Sequence, residues 1–300
     1  MSERNGVLIL AGSTASGKTD LAIALAQRFD AEIVSADSRQ IYRGMPIGTA
    51  APSDVQLHAV PHHLIAFLDP YERYSAARYA RDAVQAIAAI QARGKRAIVT
   101  GGTGFYLRAL AGDVALAPQQ DEALRERLAR ESRLHPAAVL WEWLAARDSR
   151  RAAAVDRNDA YRIVRALEIA LAPASATTDA AAGITLRSSG TPFVKVALDV
   201  PIETIDERIV RRAAAMIGAG LVDEAERIGA TAVAANAVGY PQALAFLRGW
   251  STHDELVGAL VRATRRYARR QRSWFRAEPG ITWLPPEQIE AAAREKLGWP

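Results

Sequence analysis

Residues 7–19, VLILAGSTASGKT, decide the fold of this chain. The apolar run 7–11 predicts a buried strand, and the stretch from Gly12 to Thr19 follows the spacing G-x-x-x-x-G-K-[ST] ahead of a helical pattern. In such a strand, loop and helix, backbone N–H groups and the helix N-terminus surround a phosphate group. The Lys18 amine adds a positive charge, and the Thr19 hydroxyl is placed to bind Mg²⁺. We therefore predict that a polyphosphate contacts Gly12, Ser13, Thr14, Ala15, Ser16, Gly17, Lys18 and Thr19.

Composition limits the class of protein. The chain has 300 residues, a formal net charge of +5 and no cysteine. This length suits one large domain, or one domain that carries an insertion. The lack of cysteine excludes disulfides and cysteine-bound zinc, and no apolar run reaches the roughly 18 residues that span a membrane. We expect a cytoplasmic protein.

Strands and helices alternate over the first hundred residues. The pattern predicts strands at 7–11, 32–36 and 96–100, helices at 17–28 and 75–92, and a polar loop from 37 to about 70. Asp37 follows the second strand, and GGTG at 101–104 follows the third. Because ligands bind at the carboxyl ends of parallel strands, the phosphate loop, Asp37 and GGTG should share one edge. The predicted fold class is α/β, a P-loop NTPase-like parallel sheet flanked by helices.

The character of the sequence changes near residue 113, where it becomes charged, alanine-rich and helical. We predict a mainly helical insertion domain at 114–189, within a core formed by 1–113 and 190–300. A strand at 193–200 returns the chain to the sheet. Helices then follow to about residue 274, with a break at 236–241.

Asp37 is the main candidate for acid–base chemistry. Beside a bound polyphosphate its carboxylate could hold Mg²⁺ or accept a proton from a weak nucleophile; the alternative is a helix N-cap together with Ser38. Thr103 offers a hydroxyl on the same edge, although the glycines around it could serve only a tight turn. Arg162 and Arg212 would supply cations to a departing anion, but spacing alone favours plain surface arginines.

The C-terminal region contains a strongly basic segment. Residues 262–276, RATRRYARRQRSWFR, hold seven arginines and no acid. Helical spacing places four of them on one stripe: Arg265, Arg269, Arg272 and Arg276. Arginines with interleaved aromatic rings suit a nucleic-acid backbone and base stacking. The alternative is a solvated basic face that binds nothing.

Seven segments occur here in a characteristic order: GSTASGKT, DSRQIYRGMPIGTA, HHLI, DPYERYSAARYARDA, GGTGFYLRAL, NDAYRIVRALE and RRYARRQRSWFR. From about residue 6 to 284 the chain thereby resembles the tRNA dimethylallyltransferase family. The resemblance implies transfer of a dimethylallyl group from dimethylallyl diphosphate to N6 of the adenine immediately 3′ of a tRNA anticodon. The products would be N6-(dimethylallyl)adenosine and diphosphate, so the loop would hold an isoprenoid diphosphate.

The resemblance also implies roles for individual residues. Asp37 would accept the adenine proton, and the cations and hydroxyls of the site would stabilise the diphosphate; the implied catalytic residues are Asp37, Lys18, Thr19, Arg162, Arg212 and Thr103. Base flipping is expected, because the adenine must leave its stack to reach them. The implied tRNA-binding residues are Asp37, Ser38, Arg39, Gln40, Thr103, Arg125, Tyr161, Arg162, Ile163, Val164, Arg165, Gly239, Tyr240, Arg269, Arg270, Gln271, Trp274 and Arg276. The implied cofactor is Mg²⁺ bound by Thr19, and the implied enzyme is a monomer that binds the anticodon stem-loop.

The sequence departs from the family pattern in places. Ser13 stands where Pro is usual, Pro241 where Lys or Arg is common, and 173–191 lacks the usual Thr-Gly-x-Pro-like turn. The absence of cysteine implies a bacterial-type enzyme without a C-terminal zinc finger.

Three alternatives remain at this point. A nucleoside or nucleotide kinase would use the same loop and Mg²⁺, and an isopentenyltransferase acting on free adenine nucleotide shares the front half of the chain. Neither needs the basic aromatic segment at 262–276. A non-catalytic RNA-binding protein with a phosphate loop would explain those arginines but leaves Asp37 without a role.

Overall fold

The computed structural model describes residues 6–114, 122–172 and 184–300. Within them, six parallel strands form one sheet: β1 (Val7–Ala11), β2 (Ala31–Ser35), β3 (His62–His63), β4 (Arg96–Gly101), β5 (Phe193–Leu198) and β6 (Ile281–Leu284). Their order across the sheet is β3-β2-β4-β1-β5-β6. The predicted α/β class with a parallel sheet is therefore confirmed.

Helices surround this sheet and form a second group in the middle of the chain. The first group is α1 (Lys18–Arg28), α2 (Asp54–Ala59), α3 (Ala76–Ala92) and α4 (Gly104–Ala111). The middle group is α5 (Glu122–Leu134), α6 (Ala137–Arg147), α7 (Ser149–Ala153) and α8 (Ala160–Ala170). The last group is α9 (Ile202–Gly218), α10 (Leu221–Ile228), α11 (Tyr240–Leu247), α12 (His253–Arg276) and α13 (Ile289–Leu297), with short 3₁₀ helices at Val233–Asn236 and Pro286–Gln288.

The sheet is covered on both faces, which explains why β1 is apolar throughout. Leu8 and Leu10 belong to one buried cluster with Ile33, and Val7 and Ile9 belong to the other. Successive side chains of a strand point to opposite faces, so a strand buried on both sides needs an unbroken apolar run.

The chain divides into two compact units. Residues 1–114 and 184–300 contribute to the first, which holds the sheet, and 115–183 to the second. The segment 184–189 lies with the first unit, whereas the sequence analysis assigned it to the insertion. The described part of the second unit, 122–172, has its own apolar core, which includes Leu128, Leu140, Leu144 and Ile163.

Several element boundaries match the sequence analysis and several do not. Strand β1 was predicted to the residue, and β2 begins and ends one residue earlier than expected. The segment predicted as a polar loop contains α2 and β3. No element was predicted after residue 274, so β6 and α13 were both missed. For β6 the reason is that a four-residue, half-buried edge strand carries little periodic signal.

No helix in the described parts of the chain is long and apolar enough to cross a membrane.

Candidate active site

The phosphate loop is shaped to present N–H groups to an anion. Ala15 has a φ of 62° and Gly17 a φ of 89°, both in the left-handed region. Gly17 precedes α1, and no side chain caps that helix end. The first N–H groups of a helix have no intrahelical acceptor, so those of α1 remain available to a ligand.

The side chains of α9 brace the same loop from outside. Arg208 donates to the carbonyl oxygens of Ser16 at 3.0 Å and Ala15 at 3.4 Å. Arg212 donates to Thr14 Oγ1 at 3.2 Å. Arg212 therefore reaches the loop as predicted, and Arg208 is an additional residue that the sequence analysis did not single out.

Asp37 lies at the end of β2 in a tightly fixed turn. Its Oδ1 accepts from the N–H of Arg39 at 2.9 Å. The Ser38 N–H donates to Thr103 Oγ1 at 2.9 Å, and the Thr103 N–H donates to the Ala36 carbonyl oxygen at 3.1 Å. Thr103 thus holds the turn that presents Asp37, which gives its hydroxyl a supporting position beside the carboxylate.

The GGTG glycines allow close approach, and none of them has a positive φ. A Cβ on Gly101 would lie 2.2 Å from the Ala36 carbonyl oxygen, and one on Gly104 would lie 2.2 Å from the Trp274 ring. These glycines therefore do more than form a tight turn, because they let the Ala36 carbonyl group and the Trp274 ring pack closely against the backbone.

A cavity of about 210 Å³ opens beside the loop. The polar part of its lining includes Thr14, Lys18, Asp37 and Arg212. The apolar part is formed by Ile209, Ala213, Met216, Ala237, Val238 and Leu260. A ligand that suits both parts has an anionic group joined to a short hydrocarbon chain.

Burial lowers the pKa values of two cations in this site. Desolvation lowers the pKa of Lys18 to about 8, against an opposing effect of the Asp37 carboxylate. Burial also lowers the pKa of Arg212, which is additionally repelled by Arg208. These cations are poorly solvated, so a bound anion would gain strongly from contact with them.

The oxygen groups near the loop suit Mg²⁺. Thr19 lines a small second cavity together with Ser35, Asp37 and Thr100. Hydroxyl and carboxylate oxygens are hard ligands of the kind that Mg²⁺ prefers. No cluster of three or more His, Cys, Asp or Glu residues that could bind a metal occurs in the described ranges.

The cavity wall at 45–50 is fixed by a buried carboxylate. Glu224 accepts from the N–H groups of Ile47 at 3.1 Å and Gly48 at 2.7 Å, and from Tyr240 Oη at 2.8 Å. Gly48 is required here, since a Cβ would lie 2.5 Å from the Tyr240 ring. Tyr240 is fully buried, so the tRNA contact implied for its side chain is not available in this structure. Its neighbour Gly239 has a φ of 111° and caps α11.

The predicted RNA-binding residues of α12 have different surroundings. Arg270 lines the cavity with Tyr267, and Arg276 lies 5.5 Å above the Trp283 ring. Arg269 is exposed and is 4.0 Å from Asp206. Trp274 packs against Gly104 and lies under Arg108, so it is a packing residue rather than an exposed stacking platform.

Two further residues of the predicted stripe bind acids of the same unit. Arg265 pairs with Asp206 at 3.4 Å, and Arg272 donates to Asp199 at 3.1 Å and to the Val200 carbonyl oxygen at 2.8 Å. Part of this basic helix is therefore docked by its arginines.

Near the turn at Asp37, Gln40 donates to the carbonyl oxygens of Thr49 and Ala50 and so joins the turn to the 45–50 wall. Gln271 is buried and contacts the phosphate loop.

Five predicted site residues besides Arg162 lie in the second unit. Tyr161 is 82% exposed, and Arg162 is exposed and pairs with Asp159 at 3.3 Å. Arg125 and Arg165 both pair with the buried Glu168. Val164 packs at the edge of the unit's core, and Ile163 is fully buried within it, so the structure leaves the Ile163 side chain no surface for the implied tRNA contact.

Arg208, which the sequence analysis did not single out, has one signal in the sequence. Arg208 and Arg212 are one helical turn apart, as are Ile209 and Ala213, so α9 presents a cationic stripe beside an apolar one. Such a stripe would have indicated a ligand-facing helix, but it did not show which loop the helix faces.

Comparison with known proteins identifies the family of the chain. A family model described as IPP transferase matches residues 40–278. A relative from Anaeromyxobacter sp. (strain K), named tRNA dimethylallyltransferase, is 44% identical over 296 residues, which are 97% of each chain.

Solved structures show a similar fold over nearly the whole chain. The tRNA isopentenylpyrophosphate transferase of Bacillus halodurans is 32% identical with a TM-score of 0.70, covering 98% of this chain and 97% of that one. The tRNA delta(2)-isopentenylpyrophosphate transferase of Staphylococcus epidermidis is 28% identical with a TM-score of 0.67, covering 97% and 98% respectively. This chain belongs to the IPP transferase family.

Proposed function

We propose that this protein transfers a dimethylallyl group from dimethylallyl diphosphate to N6 of the adenine immediately 3′ of the anticodon in tRNA. The observation that carries the proposal is the cavity beside the loop. Its cationic side chains suit a diphosphate, its apolar wall suits a five-carbon hydrocarbon, and Asp37 lines the same cavity at the strand edge. The relatives named above act on tRNA according to their names, which supports the same substrate here.

The leaving group determines the roles of the cations. As the C1–O bond of the donor breaks, its electron pair passes to the diphosphate. The N–H groups at the start of α1, the Lys18 amine and the Arg212 guanidinium lie where they stabilise this charge. Arg162, which the family resemblance implies as a further cation, lies in the second unit.

The nucleophile determines the role of Asp37. The lone pair of the adenine N6 amine is delocalised into the ring, so the amine attacks C1 well only if it loses a proton as the bond forms. Asp37 accepts that proton, held in place by the Arg39 N–H and by the turn that Thr103 supports.

Mg²⁺ bound by Thr19 and the diphosphate would neutralise part of the leaving-group charge. The Thr19 hydroxyl beside the small cavity would provide an oxygen ligand for it.

RNA would bind through α12 and the turn at 37–40. Arg269, Arg270 and Arg276 contact phosphates, and the flipped adenine enters beside Asp37 and Arg39. The proposed enzyme is a cytoplasmic monomer, in the compartment that holds its tRNA substrate.

A transfer assay tests the proposal. The purified chain is incubated with Mg²⁺, dimethylallyl diphosphate and an unmodified anticodon stem-loop, and the digested RNA is examined by mass spectrometry for N6-(dimethylallyl)adenosine. Parallel reactions contain AMP in place of RNA, or ATP with a nucleoside. We expect product in RNA only. Prenylated AMP would favour an enzyme of free nucleotides, and phosphate transfer from ATP would favour a kinase.

The Asp37→Asn variant is the matched mechanistic control. Its Oδ1 still accepts from Arg39, so the turn is retained, but it cannot accept the adenine proton. We expect transfer to fall by about 10²–10⁴-fold with donor binding unchanged. A variant that transfers at the wild-type rate would remove Asp37 from the mechanism.

A further inference from the structure

Gln271 connects α12 to both loops of the active-site edge. Its side chain is 7% exposed. Its Oε1 accepts from the Thr14 N–H at 2.8 Å, and its Nε2 donates to the Gly102 carbonyl oxygen at 2.9 Å. One buried amide therefore joins the phosphate loop, the GGTG loop and the basic helix.

Only an amide of this length satisfies both contacts. A carboxylate would keep the acceptor but lose the donor toward Gly102, and an apolar side chain would lose both. Gly102 is fitted to the contact, because a Cβ at this position would lie 2.2 Å from Gln271 Nε2. The contact thus constrains the residue type at both of its ends.

Thr14 is held from two sides. Its N–H is bound by Gln271 and its Oγ1 by Arg212. Thr14 begins the turn that leads to the left-handed residues Ala15 and Gly17, so the orientation of its peptide sets the direction of the loop that follows.

The helix that provides Gln271 also carries the arginines assigned to RNA. Arg270 precedes Gln271 directly and lines the cavity, and Arg269 is exposed on the same turn. A shift of α12 on binding RNA would act on Thr14 and Gly102 through the buried amide.

We propose that Gln271 is a positioning residue that couples RNA binding on α12 to donor binding in the phosphate loop, so that each ligand tightens the binding of the other. This inference rests on the proposed function. It differs from the direct tRNA contact implied for Gln271 by the family resemblance, because both polar ends of the buried side chain are engaged within the protein.

The test measures two affinities and their coupling. The non-reactive analogue dimethylallyl thiodiphosphate is titrated into the full chain with and without the anticodon stem-loop, and the stem-loop is titrated alone. Wild type is compared with Gln271→Met and Gln271→Glu, and with Gly102→Ala, which acts on the contact without altering α12. Gln85→Met is the matched control, since Gln85 is exposed on α3.

In wild type we expect RNA to tighten analogue binding by about fivefold or more. In Gln271→Met and Gly102→Ala this factor should approach one, and the analogue should bind more weakly. The affinity for the stem-loop, measured without the analogue, should stay within about twofold of wild type. In Gln271→Glu the coupling factor should lie between those of wild type and Gln271→Met, since the carboxylate still accepts from the Thr14 N–H. If Gln271→Met does not fold, Gln271→Glu and Gly102→Ala provide the test. Gln85→Met should behave as wild type.

Three results would overturn the inference. A Gln271 variant that binds the stem-loop more weakly but binds the analogue as wild type does would mean that Gln271 contacts RNA directly. Coupling that survives in all three variants, or that is absent from a wild type that binds both ligands, would mean that the amide does not transmit it. A wild type that binds neither ligand would instead remove the proposed function itself.

Discussion

Burial brings the pKa of Lys18 in the active site close to neutral pH. Desolvation lowers its pKa to about 8, while the Asp37 carboxylate opposes the shift. The free protein therefore loses this cation as the pH rises through about 8. Because the pKa of Lys18 is lower in the folded state than in the unfolded state, burying the charged amine destabilises the fold below pH 8. The free energy of unfolding therefore increases as the pH rises from about 8 toward the pKa of Lys18 in the unfolded chain, 10.5.

Donor binding should depend on pH in the same window. The terminal phosphate of the thiodiphosphate analogue has a pKa of about 6, so it does not titrate above pH 7. Between pH 7 and 9 we expect its dissociation constant to rise about tenfold, because binding requires protonated Lys18. Calorimetry measures this, with Lys18→Arg as the control that keeps its charge and stays flat. A flat wild-type profile would contradict the pKa argument.

At the residue level, the predicted site residues that lie close together do so because each directly follows a strand of the sheet. The phosphate loop follows β1 and Asp37 follows β2, two parallel strands with β4 between them, and local sequence is enough to put them on one edge. The roles of Gln271, Glu224 and Arg208 depend on partners far away in sequence. Composition and spacing show nothing of such contacts, which arise only when helices pack on the sheet.

At the element level, α12 combines docking with binding. The sequence presents it as a basic helix, and periodicity identifies its stripe of arginines. The acids that neutralise Arg265 and Arg272 lie on α9 and after β5, so sequence spacing does not separate docked arginines from free ones. The elements β3 and β6 were missed for a related reason, since short edge strands form through pairing with β2 and β5.

The contact between α4 and α12 predicts the effect of a small substitution. A methyl group on Gly104 would lie 2.2 Å from the Trp274 ring, so Gly104→Ala must displace α12. We expect a loss of about 1–3 kcal/mol in the free energy of unfolding, measured in urea. Gly218→Ala is the control, because a Cβ there meets nothing within 4 Å. Equal stability of the two variants would contradict the packing described.

At the level of the whole first unit, a buried charge cluster holds four segments together. Lys195 on β5 donates to Asp113 at 2.9 Å, to Glu278 at 2.8 Å and to the Pro279 carbonyl oxygen at 2.7 Å. Arg108 pairs with Glu278, and Arg187 pairs with Asp113. Although burial acts to raise it, hydrogen bonds from Lys195 and Arg187 hold the pKa of Asp113 below its usual value.

Removing the central cation should therefore destabilise the unit. In Lys195→Met the buried Glu278 and the partly exposed Asp113 lose their shared partner, and we expect a loss of about 3–5 kcal/mol in the free energy of unfolding. Lys95→Met is the matched control, since the Lys95–Asp30 pair is exposed and should cost less than about 1 kcal/mol. Similar losses in the two variants, measured by denaturant unfolding, would show that the cluster is not an anchor.

The central claim is that this phosphate loop holds an isoprenoid diphosphate, and direct binding tests it most sharply. Dimethylallyl thiodiphosphate, inorganic diphosphate and ATP are each titrated into the chain by calorimetry with Mg²⁺ present. Burial of the hydrocarbon against the apolar wall should add about 3 kcal/mol, so the analogue should bind roughly a hundredfold tighter than diphosphate and also tighter than ATP. Tighter binding of ATP, or an analogue no better than inorganic diphosphate, would contradict the account.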